Sequence, residues 1–394
     1  MSIVLPPASL SQPSAASLPR RSGGGSSGEE YLPALDGLRA VSILLVVFSH
    51  LGLERIVPGN LGVTIFFFIS GFIITRMLLR EAQARDDISL PAFYTRRVFR
   101  LAPALFVYLA LTVAAFAALG NPIPGRDVVA ALLYFANYYH IYFNWGDQTV
   151  EQPLSIMWSL AVEEHFYILF PFIVLLLRRR LKLLLGVLVG VCVVALAWRF
   201  AVVSAIGIEQ LNTIRTSEAT DTRIDSIAYG CLVAVFLAVS NATNSAAAAR
   251  IVRGLGSWPM VIVGGAGLML FSLLYRDPTF RETWRYSIQG LALIPVFAHL
   301  FARPPSGLLN AALTQPLMVY CGKISYSLYL YHWFAVSVVR EAFPNDSWPQ
   351  VALIAVPMML ALSMASYHFV ERPMRRTGHR LAQRFVAPAQ AAPA

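Results

Sequence analysis

The sequence predicts an all-α polytopic membrane protein, and three observations carry that expectation. Hydrophobic residues make up 57% of the 394-residue chain and charged residues 13%, with a mean hydropathy of +0.61, outside the range of ordinary soluble domains. Apolar runs of about the 20 residues needed to cross a hydrocarbon core recur from residue 38 to residue 370. Nothing between them is long enough for a sizeable soluble domain.

Taken in order, residues 1–30 are rich in Ser, Pro, Ala and Gly and lack the apolar core of a signal peptide, so they read as a disordered tail. A membrane domain over 31–373 follows, with ten expected spans at 38–54, 60–80, 98–119, 157–177, 183–203, 223–240, 258–275, 285–302, 324–341 and 349–370. A short basic and then disordered cytoplasmic tail, 374–394, closes the chain. The net charge of +10 raises the question of nucleic acid, but its distribution has a topological cause. With both termini cytoplasmic, 22 of the 31 Lys and Arg fall on inside segments, as the positive-inside rule requires. Residues 127–143 are apolar enough for an eleventh span. Counting them would turn RRRLK (178–182) and the basic C-terminal segment outward, so they read as re-entrant or interfacial, with tyrosines and Trp145 at headgroup depth.

The ionisable residues inside these spans are the candidates for chemistry, because charge in a bilayer is expensive and usually faces a polar cavity. In the first span Asp36 reads as an N-cap, Arg39 lies one turn in and His50 eleven residues further. That spacing is roughly three turns and about 16 Å of rise, which puts Arg39 and His50 on one helix face. Ser70-Gly71 in the second span reads as a close helix packing point. Arg96, Arg97 and Arg100 share one turn at the start of the third span. Attraction to anionic lipid explains such residues, and so does a phosphate clamp, since planar guanidinium groups bind phosphate bidentately. Glu163 and Glu164 enter the fourth span together; at about 100° per residue only one of them faces a cavity. Arg223 and Asp225 stand at the mouth of the sixth span. Ser325 and His332 are seven residues apart in the ninth, nearly on one face.

Absences narrow the chemistry. There is no Walker A loop, GxGxxG, GxSxG or HExxH, so nucleotide hydrolysis, dinucleotide redox chemistry and zinc hydrolysis have no motif behind them. Three cysteines without CxxC spacing give no disulfide framework and no metal site.

Together the segments LDGLRAVSILLVVFSH (35–50), GVTIFFFISGFIIT (62–75), YTRRVFRLAP (94–103), WSLAVEEHFYILFP (158–171), RIDSIAYG (223–230) and ISYSLYLYHW (324–333) resemble acyltransferase family 3 of integral membrane proteins. The resemblance implies a ten-helix core that takes an acyl group, typically acetyl, from cytosolic acyl-CoA. It delivers the group to a hydroxyl of a cell-surface glycan or glycolipid at the bacterial inner membrane. Arg39 and His50 then match the family's first-helix pair, Arg97 and Arg100 its RxxR element, and Glu163-Glu164 its acidic pair. At position 165 the chain has His where relatives commonly have Gln. Carried over, the roles are catalytic for His50, Glu163 and Glu164, donor-binding for Arg39, Arg97 and Arg100, and substrate-binding for Asp36, Arg223, Asp225 and His332. The expected partners are membrane lipids and the glycan acceptor, with no metal and no nucleic acid. Many relatives carry an SGNH-type domain, and the expectation here is that any such periplasmic acyl-transfer partner is a separate protein. The competing class is a transporter or flippase, which also uses intramembrane His, Glu and Arg, but no pair of matching halves is visible in the sequence.

Overall fold

A computed structural model describes residues 31–143, 153–243, 246–301 and 307–386. The expected tail at 1–30, Trp145 and residues 387–394 lie outside the described residues. The described residues are helical, with no strand among them.

Helix α1 (Pro33–Phe48) runs into a π-helical turn, Ser49–Leu53, that carries His50 and closes at Gly52 with φ +86°. Asp36, expected as the N-cap, instead sits in the first turn. The helix starts at Pro33, whose fixed φ suits a helix start, and the Asp36 carboxylate is 3.5 Å from Arg39. Helix α2 (Gly59–Arg85) stops at Asp86, which adopts a left-handed φ of 56°. The Arg179 guanidinium bonded to Asp86 holds that carboxyl below its usual range. Helix α3 (Leu90–Ala118) is opened by Ser89, whose hydroxyl accepts the Ala92 N–H, with Pro91 in the first turn.

Residues 127–143 fall on two short helices, α4 (Gly125–Leu132) and α5 (Ala136–Phe143), separated at Tyr134 with φ 53°. Eight residues rise about 12 Å, too little to cross a core of about 30 Å. Then come α6 (Met157–Leu177), α7 (Leu181–Ile206), the single turn α8 (Ile214–Ser217) and α9 (Thr220–Thr243). Helix α10 (Ala246–Leu255) meets a π-helical stretch, Met260–Gly267, and α11 (Leu268–Leu274) at a 59° bend. The remainder is α12 (Pro278–Glu282), α13 (Arg285–Phe301), α14 (Gly307–Leu313), α15 (Pro316–Lys323), α16 (Ser325–Ala342), α17 (Trp348–Ala365), a π turn at Ser366–Glu371, and α18 (Arg372–Ala382).

Among the described residues, seven helices are long and apolar enough to cross a membrane, or eight if the bent α10–α11 pair forms one span. This is an integral membrane protein. The eighth and ninth expected spans are present as α13 and α16 but fall short of that standard. Helix α13 has 17 residues. Helix α16 has 18 but includes Ser, Tyr, His, Arg and Glu. Most of its side chains are buried within the protein, Ser327, Leu330, His332 and Ala335 completely. A helix sheathed by other helices needs no apolar face for lipid, so its hydropathy is low for a physical reason.

Helices α2 and α9 cross in close contact. A Cβ on Gly71 would lie 2.1 Å from the Ile227 carbonyl oxygen, and one on Gly230 would lie 2.0 Å from that of Phe68. The packing point expected at Ser70-Gly71 is therefore real, and it is reciprocal. It sets α2 against α9, with Ser70 turned toward α6.

Candidate active site

A cavity opens between α1, α2, α3, α6 and α16. Arg39, Arg97 and Arg100 line it together with Ser70, Glu163, Ser325 and Tyr329. Three guanidinium groups from two helices thus converge on one space. Arg97 is 8% exposed, and its guanidinium carbon lies 3.4 Å from the centroid of the Tyr167 ring, a cation–π contact that fixes its plane. The Nε atoms of Arg97 and Arg100 are both buried without a hydrogen-bond partner. Buried donors in native proteins are nearly always satisfied, so an unsatisfied Nε on each of two cavity-lining arginines fits an anionic ligand such as phosphate.

The acidic pair divides as helix geometry requires. Glu163 lines the cavity and its Oε1 accepts the Ser70 hydroxyl at 2.6 Å. Glu164 points elsewhere, with Oε1 buried and unpartnered. His165 does not reach the cavity; its Nδ1 is 2.7 Å from Thr220 Oγ1 at the start of α9.

His50 and His332, assigned different tasks from sequence, are brought into contact. Their rings stack at 5.2 Å, with His50 Nδ1 3.1 Å from His332 Nε2. The other nitrogen of His332, Nδ1, is 3.2 Å from the Leu328 carbonyl oxygen. A carbonyl only accepts, so His332 Nδ1 carries the proton and a neutral His332 presents a bare Nε2. His50 Nδ1 must then be the donor, which leaves the lone pair on His50 Nε2. Trp333 also packs against His50, with ring centroids 4.7 Å apart. The pair lies just past the cavity wall: the Tyr329 ring is 5.5 Å from that of His332, and the Tyr329 hydroxyl is held 2.6 Å from Ser159.

Arg223 and Asp225 are both wholly buried and are not among the cavity-lining residues. Arg223 donates to Thr64 Oγ1 at 3.0 Å and stacks 3.8 Å over Tyr286. Asp225 is bound by a residue that sequence reasoning missed. Arg199, in the middle of α7 and also fully buried, donates to Asp225 Oδ2 at 2.7 Å and to the Thr283 carbonyl at 2.7 Å, and it bonds Ser287 as well. An arginine inside the apolar run LAWRFAVV was signal enough to flag it. No group of three or more His, Cys, Asp or Glu arranged to hold a metal occurs among the described residues.

Fold and site define a class: a helical membrane protein with a guanidinium-lined cavity and a stacked histidine pair beside it. The family follows from similarity. Residues 32–368 match the Acyl_transf_3 family, described as an acyltransferase domain, and the chain belongs to it. It is 32% identical over 364 residues to the O-acetyltransferase OatA of Staphylococcus aureus strains NCTC 8325 / PS 47 and COL. It is 31% identical over 361 residues to a provisionally named O-acetyltransferase of strain COL. Each alignment covers 88% of this chain and 58% of the relative, so the chain spans little more than half the length of the curated relatives it matches. No solved structure matches it.

Proposed function

We propose that the protein is an O-acyltransferase of a bacterial cytoplasmic membrane. In this reading it moves an acyl group, acetyl in the first instance, from cytosolic acyl-CoA to a hydroxyl of a cell-surface glycan. The observation that carries the reading is the His50–His332 pair with its fixed tautomer, one aromatic ring away from a cavity holding three arginines. The family supports acyl transfer, and the names of the relatives support oxygen as the acceptor atom.

A sugar hydroxyl is a poor nucleophile until its proton leaves. His50 Nε2 takes that proton while the oxygen attacks the thioester carbonyl, and the positive charge spreads to His332 through the 3.1 Å bond. The C–O bond forms, the C–S bond breaks, and the sulfur leaves as thiolate to be protonated. Arg39, Arg97 and Arg100 hold the donor's phosphates, and Asp36 keeps Arg39 in place through its 3.5 Å contact. Glu163, fixed by Ser70, positions the reactants, and Glu164 offsets the charge of Arg97. Arg223 and Asp225 act from behind the wall by setting α9, a supporting role in place of the direct substrate contact expected from sequence.

The test is turnover in membranes supplied with acetyl-CoA and acceptor glycan. His50→Ala is expected to lower kcat by about 10²- to 10⁴-fold, the range of a lost general base, with normal membrane insertion. Unchanged turnover would remove His50 from the mechanism.

A further inference from the structure

One buried carboxylate has no part in this chemistry. Glu371 is 2% exposed and ends the π turn Ser366–Glu371 between α17 and α18; such turns often occur at functional sites. Its Oε2 accepts the Ser327 hydroxyl of α16 at 3.1 Å, and its Oε1 is 3.8 Å from Nη1 of Arg375 on α18. Arg100, Arg375 and Arg39 all lie within electrostatic reach of it, and Arg100 is in the same way close to Arg39, Arg97 and Arg375. Helix α18 is fixed against the arginine-bearing turn of α3: a Cβ on Gly378 would lie 2.5 Å from Cβ of Phe99. Two of the cavity's arginines, Arg39 and Arg100, therefore share the Glu371 carboxylate with Arg375 of α18. A buried carboxylate is costly unless paired, and so is a cluster of like charges. Each explains the other.

We propose that Glu371 and Arg375 belong to the anion site, with Arg375 as a fourth phosphate-binding arginine and Glu371 as the internal counter-ion with which a polyanionic donor competes. The inference rests on the donor reading above and adds α18, most of which was expected from sequence to be a short basic tail, to the site. The Arg375 side chain is 40% exposed, so it meets an incoming phosphate before the buried arginines do. Glu371 keeps those arginines apart and oriented while the site is open, and it weakens the binding of any anion by repulsion.

Coenzyme A titrated onto the full chain in lipid nanodiscs tests this. Arg375→Gln is expected to weaken binding by roughly two- to five-fold, the scale of a partly exposed ion pair, and Glu371→Gln to tighten it by a similar factor. Weaker binding by Glu371→Gln overturns the counter-ion role. Should Glu371→Gln fail to fold, Arg375→Gln decides alone, and unchanged affinity in it overturns the proposal. Arg97→Glu separates the two levels. If it loses coenzyme A while the Glu371 and Arg375 variants match the parent protein, the present inference falls and the donor reading stands. If Arg97→Glu also binds normally, the donor reading fails and takes the inference with it.

Discussion

The proton on His332 Nδ1, pinned by the Leu328 carbonyl, sets the state of two rings. It turns His332 into an acceptor and leaves the free lone pair on His50 Nε2, as the proposed general base requires. His332→Ala removes the acceptor and frees the His50 ring to turn or change tautomer. The expected result is a fall in kcat of about 10²-fold or more, with the donor KM unchanged. His332→Gln, whose amide oxygen can accept the same hydrogen bond, restores part of it. Separate measurement of kcat and KM for acetyl-CoA checks the assignment, and a change in KM alone would make His332 a donor-binding residue instead. Both histidines were legible as ionisable groups in apolar helices, but they are 282 positions apart, and no local pattern reports a contact at that range. The choice between Glu163 and Glu164 was hidden for a related reason. Helix periodicity says that the two diverge, while only the position of Ser70 on α2 says which one faces the cavity.

Elements are held at their separations by small residues, and the α2–α9 crossing is the clearest instance. Any side chain on Gly71 meets the Ile227 backbone, which cannot step aside. Gly71→Val is expected to cost about 1–3 kcal/mol, the scale of overpacking, and to displace Ser70 from Glu163. A lowered melting temperature in detergent together with reduced turnover would show it. Gly186, in α7 with nothing within 4 Å of an added Cβ, is the control. There Gly186→Ala should be neutral or stabilising by up to about 1 kcal/mol, because alanine is the better helix former. The helices themselves were read from apolar runs to within a few residues at most ends. The departures have local causes. Pro33 starts α1 ahead of Asp36, π turns interrupt the helices at His50 and before Glu371, and Tyr134 breaks the 127–143 segment in two.

For the molecule as a whole, the Arg199–Asp225 pair joins α7 to α9 and, through Thr283 and Ser287, to the start of α13. Removing one partner leaves the other charged and buried. Arg199→Met is therefore expected to cost about 3–5 kcal/mol, and Arg199→Met with Asp225→Leu distinctly less than the two single changes added together. Thermal unfolding of the purified protein in detergent is the measurement. The sequence by itself determined the solvent, the helical class, most of the helix boundaries and the residue types able to carry chemistry. Those follow from hydropathy and from the cost of charge in a bilayer, which are local properties. Tertiary structure alone decided which of those charges meet. It put three arginines around one cavity, stacked two histidines beside it, turned Glu163 inward and Asp225 toward an arginine on another helix. Such contacts depend on how helices far apart in the chain cross, and crossing geometry is set by many side chains at once.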